Sequence, residues 1–288
     1  MNHRYSILRD NGKPVSITWY HNGDPKTATD DHPQFGKIVF AVERGYDADD
    51  ILRLFSPRAR VNDYFSKVGL YGCHFDGSVV HVNGKTVPDD LSQMIVDHVD
   101  AGTDPTSLVL FFNKLMNNPS FQSRKELVSF IKRHGLTITS NGNFIAYKGL
   151  NSNGKSVHRG TATVNGKVVH GHIPNELGSV ITMPRGEVDD NRQVGCSQGL
   201  HAGTWNYASG FGHYGNTCTV EIDPADVISV PLDSNEQKLR VCKYTVVKLK
   251  VDAPEDTLIW EGSESLTTPK NMSWGVSSGN TTLWSATA

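Results

Sequence analysis

The chain has 288 residues, of which 37% are apolar and 20% charged, with a formal net charge of −2. This is the balance of a water-soluble globular protein long enough for two domains, and it excludes nucleic-acid binding through bulk electrostatics. No apolar run is long enough to span a membrane, and the opening MNHRYSILRDNGKP lacks the apolar core of an export signal, so a reducing cytoplasm is expected.

In chain order, VSITWYHNG (15–23) and KIVFAVERG (37–45) have the β-branched and aromatic content of strands, and DPKTATDDHPQFG between them reads as a loop. Asp47 before an acidic first turn starts a short helix through Ile51, Leu52, Leu54 and Phe55. LYGCHFDGSVVHVNGKTVP places the turn dipeptides Asp76-Gly77 and Asn83-Gly84 around an alternating strand, a hairpin pattern. Three helices follow. The first starts near Pro88-Asp89 and carries Leu91, Ile95 and Val99. The second follows Thr103-Asp104-Pro105, with Leu108, Leu110, Phe111, Phe112 and Leu115. The third runs from Ser120 to His134, with Leu127, Val128, Phe130 and Ile131 on its inner face and Gly135 as a left-handed cap. The break Asn117-Asn118-Pro119-Ser120 suits a scaffold or protein-docking surface better than an active site.

At Leu136 the texture changes to short strands and Asn/Gly turns: LTITSNGNFIAYKGL, RGTATVNGKVVHGHIP, a long loop MPRGEVDDNRQVGCSQ, the GLHAG strand, the aromatic WNYASGFGHYG segment, TCTVEIDP, VISVP and the strand RVCKYTVVKLKV. Asp223-Pro224 and Asp226 read as an Asp-led turn. After Asp252 the composition turns to Ser, Thr, Asn and Gly, as in a loosely ordered tail. The expected organisation is therefore α+β. Residues 1–135 form an N-terminal small sheet with three helices, 136–252 a β-rich domain with a strand–helix GLH motif, and 253–288 a tail.

The candidate site residues cluster in the second half. His201, beside the small residues Gly199, Ala202 and Gly203, leaves space for a ligand to approach the backbone, and Trp205, Tyr207 and Phe211 could wall it. The plainer reading is a satisfied core histidine beneath a packed helix. Arg185 and Arg192, in a loop with Glu187, Asp189 and Asp190, suit a phosphate clamp or, equally, a surface ion-pair network. Tyr147 and Lys148 occupy opposite faces of FIAYKG, with Lys148 a possible phosphate contact or a plain strand lysine. Cys73, Cys196, Cys218 and Cys242 lack paired spacing and read as packed thiols. A metal at Cys196 and His201 is the sharper alternative, without the tight ligand pairs of a zinc site. No phosphate-cradling glycine loop, nucleophile elbow or HExxH pair is present.

NGNFIAYKGL, the MPR–VDDNR loop, CSQGLHAGTWNYASGFG, and VEIDPADVISVP followed by RVCKYTVV, with the NNPS helix break upstream, together resemble the RIIB-like proteins of tailed bacteriophages, over roughly residues 79–247. The resemblance implies an early phage protein in the host bacterial cytoplasm, at most peripheral at the inner face of the inner membrane. It would act with a phage RIIA-like protein or a host protein in lysis inhibition or evasion of host exclusion and defence, without a cofactor or an established catalytic residue set. A fainter similarity is to ADP-ribosyltransferase-like folds, in the order Tyr-Lys-Gly strand, Gly-Leu-His strand, aromatic helix. There Lys148 stands where Arg or His holds NAD, and Glu221 is the nearest candidate for the late Glu. That similarity implies a small nucleotide or NAD-derivative ligand, sequestered or processed by Tyr147, Lys148, Arg185, Arg192, Cys196, His201, Trp205 and Tyr207.

Overall fold

The computed structural model describes residues 4–212 and 216–252, so the expected tail lies outside the described residues, as does the segment 213–215 after the aromatic helix. The architecture is α+β, and the chain divides into two compact units, Met1–Pro105 and Thr106–Ala288. The division follows the Thr103-Asp104-Pro105 break. The change of texture at Leu136 falls inside the second unit.

In the first unit β1 (Arg4–Asp10), β2 (Lys13–His21) and β3 (Asp24–Thr29) form an antiparallel sheet in that order. β3 occupies the first six residues of what the sequence suggests is a loop. Pro25 is tolerated because β3 is an edge strand, where a missing N–H leaves no ladder bond unmade. The segment expected as a second strand is instead a helix, α1 (Phe35–Glu43). Its β-branched residues mislead, but Ile38, Val39, Ala41 and Val42 are buried while Lys37, Phe40 and Glu43 are exposed, a helical spacing rather than an alternation. These residues pack with Ile17, Trp19 and Ala28 of the sheet and Ile51 of α2 (Ala48–Phe55), whose N-cap Asp47 accepts from Asp49 N. α3 (Pro57–Lys67) begins at the Ser56 cap. The hairpin region forms a three-stranded meander, β4 (Cys73–Phe75), β5 (Val80–Val82) and β6 (Lys85–Thr86), before α4 (Asp89–Asp100).

The second unit opens with α5 (Thr106–Leu115) and α6 (Phe121–His134). α6 is capped by Ser120, whose Oγ accepts from Ser123 N, and closed by Gly135 in the left-handed region. Its nine-stranded sheet contains β7 (Phe144–Gly149), β8 (Lys155–Val164), β9 (Lys167–Pro174), β10 (Val180–Thr182), β11 (Leu200–Gly203), β12 (Thr217–Ile222), β13 (Val227–Ser229), β14 (Lys238–Val241) and β15 (Lys243–Lys248). The order is β13-β14-β11-β7-β12-β15-β10-β8-β9, and paired neighbours run antiparallel. RVCKYTVVKLKV, expected as one strand, is broken at Cys242. β14 pairs with β11 and β13, and β15 pairs with β12 and β10. The break is held by Cys242 N donating to Asp226 O (2.9 Å) and Met183 N donating to Cys242 O (2.8 Å), contacts that no glycine or proline announces.

Candidate functional site

The GLH motif is β11, and Thr204 turns it into α7 (Trp205–Phe211) by accepting from Tyr207 N through Oγ1. The small residues serve this packing. A Cβ on Gly203 would collide with Gln237 O and lie 2.9 Å from the Tyr207 ring, and one on Gly149 would collide with Ala208 O. The room expected for a ligand beside the GLHAG backbone is thus filled by α7 and by the turn before β14.

β11 meets β7 through one register pair, Gly203 with Tyr147, and Lys148 reinforces that thin seam by donating from Nζ to His201 O at 2.8 Å. Lys148 also sits 5.5 Å from the Tyr244 ring centroid. Burial lowers its pKa from 10.5 to about 8. Burial also lowers His201 to about 3, assisted by the positive charges of Lys148, Lys238 and Arg240, so its imidazole is neutral near pH 7. His201 Nε2 and Trp205 Nε1 are buried and have no hydrogen-bond partner among the described residues. Tyr207 packs 5.5 Å from Phe211, lies beneath Lys238 Nζ (5.8 Å), and is pushed up to about 12 by burial. The structure therefore brings Tyr147, Lys148, His201, Trp205 and Tyr207 together at the β7–β11–α7 seam.

Arg185 and Arg192 lie elsewhere. Arg185 donates through Nη1 to Ala225 O (2.7 Å) and through Nη2 to Asn118 Oδ1 (2.9 Å) and Val227 O (3.1 Å). Asn118, fully buried in the NNPS break, donates to Pro224 O (3.0 Å) and Val227 O (2.7 Å), so this break locks α6 to β13. Arg192 joins Glu126 (2.6 Å) and Glu236 (2.8 Å), with Arg133 also on Glu236. Arg185 lines an open cleft of about 720 Å³ with Ser120, Glu187, Asp190, Gln198 and Ile228, but its guanidinium is occupied by the carbonyls and Asn118.

Sequence reasoning missed Arg240 and Lys238. Arg240, fully buried opposite His201, donates to the carbonyls of Asp189 (3.1 Å), Asn191 (3.0 Å), Gly195 (3.2 Å) and Val194. Lys238 donates to Gly195 O (2.5 Å) and Asp233 (2.6 Å). Together they hold the DDNRQVG loop against the sheet. The available signal is the alternation of Lys238 and Arg240 with Leu239 and Val241, basic residues in an otherwise buried strand.

Cys196 is exposed, and no set of three His, Cys, Asp or Glu side chains among the described residues is arranged to hold a metal. Glu221, the acid considered for NAD chemistry, accepts from Asn143 Nδ2 (2.9 Å) and supports the turn before β7. No helix of the described residues is long and apolar enough to cross a membrane.

No solved structure matches the chain. Protein rIIB of Enterobacteria phage T4 is 32% identical over 159 residues, covering 55% of this chain and 47% of that protein. The matched part thus spans about half the length of that relative. The family model described as bacteriophage T4 protein rIIB matches residues 22–259. That match covers most of both compact units, including the α6 lock and the GLH seam, and the chain therefore belongs to the bacteriophage T4 rIIB family.

Proposed function

We propose that this protein is a phage accessory protein that acts by binding other proteins, a phage RIIA-like protein or a host protein, in lysis control or resistance to host exclusion. Its place of action is the host cytoplasm, with any membrane association peripheral. The observation that carries this reading is the engagement of its most distinctive polar side chains. Lys148, Arg185, Asn118, Arg240 and Lys238 donate to the chain's own carbonyls, and Arg192 to its own carboxylates. A phosphate clamp or general acid–base pair requires such groups to face a ligand. Here they stiffen a scaffold, which favours recognition by surface.

The test is capture of the tagged full chain from phage-infected cells, followed by quantification of co-eluting proteins and extraction of bound metabolites. A stoichiometric phage or host protein without a retained small molecule is the expected result. A retained nucleotide without a protein partner would overturn the proposal.

A further inference from the structure

The two edges of the nine-stranded sheet are treated differently. At the β13 edge, backbone groups are capped by side chains. Val227 O accepts from Asn118 (2.7 Å) and Arg185 (3.1 Å), Ile228 O accepts from Ser123 Oγ (2.6 Å), and Val230 N donates to Glu126 (3.4 Å). At the other edge lies β9, paired only with β8. The hairpin turn Asn165-Gly166 has two residues, both with positive φ, so the flanking pair Val164–Lys167 is hydrogen-bonded. Alternation then turns the N–H and C=O of Val168, His170 and His172 away from β8. Among the described residues nothing pairs with them. An unpaired strand without an interior proline is a template for another strand.

Charge identifies the kind of strand. Residues 155–174 contain Lys155, Arg159, Lys167 and three histidines but no Asp or Glu, within a chain whose net charge is −2. Arg159 lies opposite His172, and His170 opposite Thr161, so one exposed face of the ribbon carries the Arg159 cation and two imidazoles, without a carboxylate, beside the open edge. A second copy of this ribbon would bring no carboxylate to meet Lys155, Arg159 or Lys167. We infer that the β9 edge accepts an extended segment bearing Asp or Glu residues, contributed by a protein partner, which adds a tenth strand through main-chain bonds and meets that face with its carboxylates. This rests on the reading that the protein acts through protein partners, and names the chemistry of one.

The test uses a fluorescent ten-residue peptide of alternating Glu and Thr, its counterpart with Lys for Glu, and the full chain. The acidic peptide is expected to bind saturably, weaken about tenfold as salt is raised to about 0.5 M, and slow exchange of the Val168, His170 and His172 amides. Arg159→Glu with His170→Glu should exchange preference to the Lys peptide. Val168→Pro, which removes an outward N–H and spares the β8 ladder, should abolish binding of either; unchanged melting temperatures establish that the variants fold. No acidic-peptide binding, or equal binding by the reversed-charge variant, would overturn the inference. So would amides already slow in the free chain, whether through a dimer or through the chain's own acidic stretch at Glu255, Asp256, Glu261 and Glu264. A deoxythymidine decamer that displaces the peptide without slowing these amides would also overturn it. If Val168→Pro captures the same partner from infected cells as the unaltered chain, the edge assignment fails and the partner reading stands. If neither captures a partner, the partner reading fails.

Discussion

Lys148→Met tests the seam between β7 and β11 quantitatively. The lysine places an ammonium against Tyr244 and one carbonyl, and burial lowers its pKa from 10.5 to about 8. At about 1.4 kcal/mol per pH unit, that gap corresponds to roughly 3 kcal/mol of penalty for folding with the charge on. The sign follows from proton counting. Between about pH 8 and 10.5 the unfolded chain binds the proton and the folded chain releases it, so stability rises with pH across that window and is lowest below it. Methionine removes the titration and the penalty but leaves His201 O without its donor, which costs about 1–3 kcal/mol. The variant should therefore differ from the unaltered chain by no more than about 2 kcal/mol at pH 7, in the stabilising direction or near zero. Relative to the variant, the unaltered chain should gain roughly 3 kcal/mol as pH approaches 10.5. Urea unfolding followed by circular dichroism at pH 7, 8, 9 and 10 measures both. Parallel stability curves for the two chains would refute the reasoning, because the buried ammonium would then carry no linked proton.

Three further outcomes follow from the same packing. Asn118→Ala removes donors from Pro224 O and Val227 O and an acceptor from Arg185, and should lower stability by about 2–4 kcal/mol in urea unfolding. Gly203→Ala forces a methyl into Gln237 O and the Tyr207 ring and should cost about 1–3 kcal/mol, read as a lowered melting temperature. His201 should remain neutral in nitrogen NMR from pH 8 down to about 4.5, since its folded-state pKa is about 3. Its contribution to stability is present above the unfolded value of about 6.5 and is lost as pH falls toward 3. An imidazole titrating near 6.5 would show that His201 faces water.

Local signals in the sequence were the legible ones. Asp47 and Gly135 mark helix ends through groups a few residues away and stand as read, while Ser120, expected as the first helical residue, is the N-cap one position before Phe121. Asn-Gly turns likewise locate the β8–β9 hairpin. α1 was obscured because Ile38, Val39 and Val42 favour strands individually, and with Ala41 they reveal a helix only through spacing. The β14–β15 break had no marker at Cys242, since what holds it are backbone bonds to residues distant in sequence. The candidate site divided for a related reason. Tyr147, Lys148, His201, Trp205 and Tyr207 share one seam because β7 and β11 are neighbours and α7 follows β11 directly. Arg185 and Arg192 stand out in the sequence for the guanidinium fork, and carbonyls and glutamates of this chain satisfy that fork as well as a phosphate would.

The Arg240 and Lys238 anchor has a consequence for how the 189–195 loop can change. Apart from the Lys238–Asp233 pair, a longer approach to Asp189 and a 3.4 Å bond from Arg240 to Ser229 Oγ, the two cations read carbonyl oxygens, which every residue type supplies equally. This hold on the backbone does not depend on the side chains of Asp190 and Gln193, whereas Asp189, Asn191, Arg192 and Gly195 fix the loop through contacts of their own. Positions such as Asp190 and Gln193 can exchange charge, size or polarity while the backbone beneath them stays where the sheet has pinned it, so this segment can vary its outward chemistry without refolding.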